Sequence, residues 1–137
     1  MNNQLILYPA VFQILLTLIL YVKNYFDNIN SIKNDNVKVG HFKLYDGNIP
    51  EYVEVSRQTL KNQFELPILF YFLITIILVF DILTFTNLIF AWLFVISRYI
   101  HSYIRLTSNY IPYRARVFIL GLFILICGWI NVLINII

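Results

Sequence analysis

Two short polar clusters interrupt an otherwise apolar chain, and their residue types can do chemistry together. Gln58, Lys61, Asn62 and Glu65 stand at i, i+3, i+4 and i+7. That spacing puts four side chains on one face of a helix. Glu65 precedes fifteen residues without a charge, so it sits at a membrane entrance. Arg98, His101 and Arg105 repeat the pattern at i, i+3 and i+7, and Arg114 and Arg116 follow. The last two are separated by two positions and face different ways, so at most one can join a site shared with the helix before it. Several cations, one carboxylate, an amide and a histidine suit a small, mostly anionic zwitterion. Arginine and lysine hold carboxylates, and Glu65 holds an ammonium. Apolar walls beside them suit a lipophilic second ligand. An enzyme joining a water-soluble thiol to a lipid needs that arrangement. A plainer reading stays open: interfacial charges that snorkel to water, with a hydrogen-bonded histidine among them.

Other chemistries lack their residues. Cys127 is the single cysteine and lies in an apolar run, which reads as an inert buried thiol and forbids an intrachain disulfide. With His41 in a loop, no Cys/His metal spacing arises, and the expectation is no metal. Neither a glycine-rich phosphate loop nor a nucleophile elbow is present. The ten tyrosines and twelve phenylalanines read as lipid-facing or interfacial packing.

The elements that must position these clusters follow from composition. Of the 137 residues, 60% are hydrophobic and 12% charged, about half the charged share of a soluble domain. A soluble fold of this size has too little core to hide so much apolar surface. Four segments are long enough to cross a bilayer. The expected helices run over roughly 5–26, 54–80, 82–106 and 112–137, in a single domain over 1–137. The first apolar run, Leu5 to Val22, lacks a basic leader and a small-residue cleavage site, so it reads as a retained helix. The second helix carries a polar extension over Glu54 to Glu65. Asn24 to Pro50 is the one long polar link, and the other two links are short. Short links predict an all-α, four-helix transmembrane bundle with up-down-up-down order.

Charge placement gives the orientation. All ten Lys and Arg residues flank the first and third links; none lies at the second link or at either end. The positive-inside rule then puts both links in the cytoplasm and both termini on the far side. The net charge of +3 is thereby assigned to a membrane edge, and a nucleic acid partner is not expected.

The stretch Arg57-Gln58-Thr59-Leu60-Lys61-Asn62-Gln63-Phe64-Glu65-Leu66-Pro67 resembles the signature of the MAPEG family, membrane-associated proteins in eicosanoid and glutathione metabolism. That signature has Asn, Glu three residues later, then Pro, at the start of the second helix. Ser97-Arg98-Tyr99-Ile100-His101-Ser102, followed by Asn109, Pro112 and Arg114, is similar to its third-to-fourth helix pattern. The loop Gly40-His41-Phe42-Lys43-Leu44-Tyr45-Asp46-Gly47 resembles the bacterial branch. The resemblance implies a homotrimer with glutathione as co-substrate, bound between subunits near the cytoplasmic edge. Asn62 and Glu65 match glutathione contacts. Arg98 and His101 match family positions on the third helix. Gln58, Lys61 and Arg105 complete the expected glutathione set. Arg114 matches the arginine that activates the thiol, by favouring thiolate beside a cation. Three departures stand out. Gln58 occupies a position commonly held by arginine, and Arg105 one held by tyrosine in some enzymes. Ala115 and Phe118 stand where one branch has serine and tyrosine.

The expected function is a glutathione-dependent membrane enzyme, a transferase or peroxidase acting on a lipophilic small molecule or lipid. The alternative is a non-enzymatic lipid-binding or scaffold protein of the same fold. A transport subunit is disfavoured, because no charge lies near the middle of a helix. The expected location is a bacterial inner membrane.

Overall fold

The computed structural model describes residues 3–45 and 47–136; Asp46 of the loop motif lies outside them. The described chain is helical. A 3-10 turn, Asn3–Ile6, leads into α1 (Leu7–Asn34). A single turn, α2 (His41–Leu44), lies in the first link. Then come α3 (Glu51–Lys61), a 3-10 turn (Asn62–Phe64), α4 (Leu66–Val79), α5 (Phe85–Leu106) and α6 (Ile111–Ile136). These are the four long rods of an all-α bundle, with the second rod made of two pieces.

Two boundaries differ from the sequence expectation. Helix α1 runs on to Asn34, two turns past the apolar run. Its extension is held by Lys23 and Asp27, paired at 2.8 Å across one turn, and by Tyr52 of α3, which donates to Asp35 at 2.6 Å. The second rod breaks at Glu65, where φ is −103° and ψ −100°. Pro67 is the cause. It has no N–H for the carbonyl of Gln63, and its ring crowds that carbonyl, so a continuous α-helix is not available there. The chain restarts as α4 with proline in its first turn, where it fits.

The distribution of side chains is inverted relative to a water-soluble protein. Leu18, Ile19, Val22, Val79, Ile119, Phe123 and Ile134 are exposed, while Gln13, Gln63, Asn87, Arg98, His101 and Ser102 are buried. Lipid accepts the first group and not the second. Three rods, Gln4–Asn34, Glu51–Val79 and Ile111–Ile136, are long and apolar enough to cross a membrane. Helix α5, with 22 residues, is shorter than these but still long enough to cross. It is less apolar because Ser97, Arg98, His101 and Ser102 turn into the bundle.

The apolar core joins Phe70, Leu73 and Ile77 of α4 to Ala91, Phe94 and Val95 of α5, and to Leu125 and Val132 of α6. Phe70 and Phe94 stack with centroids 4.7 Å apart. Polar ties sit above and below this core. Toward the end that carries the basic residues Gln13 donates to Gln63 at 2.9 Å, and Gln63 reaches Ser102 at 3.4 Å. These bonds link α1, the 3-10 turn and α5. At the other end Asn131 of α6 donates to Asn87 of α5, and Asn87 donates to the Ile82 carbonyl at 3.1 Å. Thr84 caps α5 by accepting from the Asn87 amide.

Candidate functional site

The polar groups of α3 and of the 3-10 turn divide between two depressions. Helix α3 stays regular up to Asn62, whose N–H reaches the Gln58 carbonyl, so Asn62 stands beside Gln58 on the helix and about 100° from Lys61. Asn62 turns toward α5 and α6. There it lines a cleft of about 400 Å³ with His101 and Arg105 of α5 and Arg114, Ala115, Phe118 and Ile119 of α6. Four of the eight residues singled out from the sequence therefore share one cavity: Asn62, His101, Arg105 and Arg114.

Each of the four is positioned by its element. Arg114 lies one turn into α6, and its Nη1 donates to Asn109 Oδ1 at 2.6 Å. Asn109 has a φ of 47°, a left-handed conformation that asparagine tolerates better than most residues. The tight turn before α6 thus aims Arg114 back at α5. Arg116 lies on another face, its guanidinium 5.9 Å over the Tyr113 ring. Only one of the two arginines enters the cleft, as their spacing required. His101 is buried, its ring 5.7 Å from that of Phe118. Arg105 donates to Gln58. The Gln58 amide donates in turn to Glu54 at 2.6 Å, and Glu54 also accepts from Arg57 at 2.5 Å. Arg57 packs over the Tyr45 ring at 4.5 Å. This chain runs from the first link to the cleft and fixes the Arg105 guanidinium at its rim.

The remaining expected residues fall elsewhere. Gln58 and Lys61 line a second groove, of about 650 Å³, with Tyr21 and Asn24 of α1, Glu54, Arg57 and Phe64. Glu65 is exposed at the break. Arg98 is 1% exposed and lies beneath the cleft, not in its wall. Gln58 and Lys61 thus line one groove and Asn62 the other, while Glu65 stands at the break, near enough to Arg105 to act on its charge. Sequence reading missed Glu54, which fixes Gln58, although its i, i+4 spacing to Gln58 was a usable signal.

In chemical terms the cleft holds two fixed guanidinium groups, a neutral amide and an imidazole above an apolar wall. It can attract a carboxylate or thiolate from the water side and admit an apolar group from the lipid side. The family model for the MAPEG family matches residues 6–134. No curated protein and no solved structure matches the chain.

Proposed function

We propose a function from one premise: the chain belongs to the MAPEG family. The reading is a glutathione-dependent enzyme of the membrane that conjugates glutathione to a lipophilic electrophile or reduces a lipid hydroperoxide with it. The observation that carries it is the meeting of Asn62, His101, Arg105 and Arg114 around one cleft with an apolar wall. Arg105 and Asn62 hold the carboxylate and amide groups of the peptide. Arg114 favours the thiolate, as a neighbouring cation does. His101 braces the wall between them. Glu65 and Lys61 approach the same peptide from the cytoplasmic rim, where Glu65 receives its ammonium, and Gln58 orients Arg105.

Assembly completes this reading. Glu65 and Lys61 are exposed on the single chain, and a homotrimer with sites at subunit boundaries gives them a partner surface. The basic ends of the helices face the cytoplasm, in a bacterial inner membrane with both termini on the far side.

The second reading is a lipid-binding or scaffold protein that keeps the fold without the reaction. One observation favours it. Ala115 and Phe118 line the cleft, and neither has a hydroxyl to donate to a thiolate. Glutathione titrated onto detergent-solubilised protein separates the readings by thiolate absorbance. Thiolate forming near neutral pH supports the enzyme. Binding without thiolate supports the scaffold, and no binding rejects glutathione altogether.

A further inference from the structure

Glu54 stands about two turns before Asn62 on α3 and does not line the cleft. Both of its carboxylate oxygens are engaged: Oε2 accepts from Arg57 at 2.5 Å and Oε1 from the Gln58 amide at 2.6 Å. The Gln58 amide has a donor end and an acceptor end of nearly the same shape. An ionised carboxylate only accepts, so it takes the NH2 end. The amide oxygen is then left for Arg105, a group that only donates. The bonds from Gln58 and from Arg57 hold the Glu54 carboxyl below the usual carboxylate range, so it stays ionised at neutral pH. Arg57 lies in turn with its guanidinium 4.5 Å over the Tyr45 ring of the first link. The charges of Glu54 and Arg57 cancel, Gln58 is neutral, and Arg105 keeps its whole charge. A carboxylate bonded straight to Arg105 would orient that cation and neutralise it together. A neutral amide between the two orients it and leaves its charge for a ligand.

We propose that Glu54 is a positioning residue for the cleft, turning Gln58 oxygen-first toward Arg105. It rests on the glutathione reading for the ligand that Arg105 holds; the relay itself does not. Each bond of the relay is partly exposed and weak alone. In series they restrict Arg105, whose long side chain otherwise samples many rotamers. The sign of the effect sets positioning apart from ordinary surface charge. Removing a carboxylate beside a basic cleft raises the affinity for an anion through the field alone. Loss of positioning lowers it.

The test compares glutathione with its diethyl ester, which lacks both carboxylate charges, by calorimetry in one detergent. The ester is expected to bind at least about tenfold more weakly to the natural chain, the usual loss of hydrogen bonds between charged groups. In Glu54→Leu that ratio should fall about fivefold, against the sign that the lost charge alone would give. In Arg105→Gln the ratio should be low already, and adding Glu54→Leu should change it no further. A merely structural role would weaken acid and ester alike and leave the ratio standing. A second readout needs no glutathione: the rate at which p-hydroxyphenylglyoxal modifies Arg105, followed by mass spectrometry of its peptide. A tethered guanidinium reacts slowly, so Glu54→Leu and Gln58→Leu should each speed the modification. A ratio that holds or rises in Glu54→Leu overturns the proposal. So does an unchanged modification rate, or a Glu54→Leu loss that adds to that of Arg105→Gln. If the natural chain gives no heat with glutathione, the glutathione reading fails on its own, and the modification rate alone decides the part of Glu54.

Discussion

Gln58 accepts a hydrogen bond from Arg105 across 47 positions of sequence, and so α3 sets the direction of a cation on α5. Gln58 stands outside the cleft that Arg105 lines. Its contribution is thus positional. Replacing Gln58 with Leu should weaken glutathione binding by about 5- to 10-fold, the net worth of one hydrogen bond of about 1–1.4 kcal/mol. Gln58→Glu keeps the acceptor for Arg105 but sets a second carboxylate against Glu54, so it should recover only part of the affinity. Isothermal calorimetry on both variants checks this, and equal affinities would separate Arg105 from the peptide.

Gly121 and Arg98 give a prediction about packing. Gly121→Ala puts a methyl group into the guanidinium, and overpacking of this kind costs about 1–3 kcal/mol. The melting temperature in detergent should fall. Adding Arg98→Met removes that collision and the buried charge but leaves Ser97 Oγ 2.6 Å from the new Cβ, so the double variant should recover part of the loss. Gly128→Ala meets only the Leu73 methyl at 3.2 Å, at the end of a flexible side chain, and should be milder.

How much of this was legible beforehand depends on the kind of interaction. The four rods could be read because lipid demands long apolar runs, and the bilayer sets their length. That only one of Arg114 and Arg116 joins the cleft could be read from local spacing, and the choice of Arg114 from the family resemblance. The split of the second rod could not be read from periodicity, since the apolar run of α4 continues smoothly past Pro67. Nor does spacing say that Asn62 lines a cleft with His101 while Gln58 and Lys61 line the neighbouring groove. The burial of Arg98 also escaped, because it depends on Gly121 in another helix. Contacts between α5 and α6 are set by packing, which no single segment encodes.

The buried pair Gln13 and Gln63 should behave as a unit. Gln63→Leu leaves Gln13 with no donor or acceptor partner from that residue, in a place water does not reach. Each single Leu variant should lose about 1–3 kcal/mol of stability, while the double variant should lie close to the natural chain. Thermal unfolding of the three variants in one detergent measures the coupling. Additive losses would mean that the bond contributes nothing.

Orientation follows from the ten basic residues at two links. A reporter active only in the cytoplasm, fused after Ile137, should give no signal. The same reporter inserted in the link between α1 and α3 should be active. A strong signal at the C-terminal fusion would reverse the orientation and put the cleft on the other side.

Arg114 distinguishes an enzyme from a scaffold. It is held by Asn109 at the mouth of the cleft, so its charge is fixed in place before any ligand arrives. A fixed cation acts most strongly on charge that develops during reaction, here at sulfur. Arg114→Ala should therefore lower turnover about 100-fold or more while weakening glutathione binding much less. Glu65→Gln should do the opposite. Its proposed partner is the ammonium of the peptide, which is the same in ground and transition states, so affinity should drop and turnover of the bound complex should hold. If Arg114 only anchors α6 at the headgroups, Arg114→Lys would be silent, because lysine snorkels as well. If it acts on the thiolate, lysine should restore only part of the rate, since it is longer, more flexible and lacks the bond geometry to Asn109. Conjugation of glutathione to a lipophilic aryl halide, with binding followed separately by calorimetry, gives both numbers for each variant. Equal turnover in the natural chain and Arg114→Ala would remove the catalytic role, and the lipid-binding reading would then account better for the cleft.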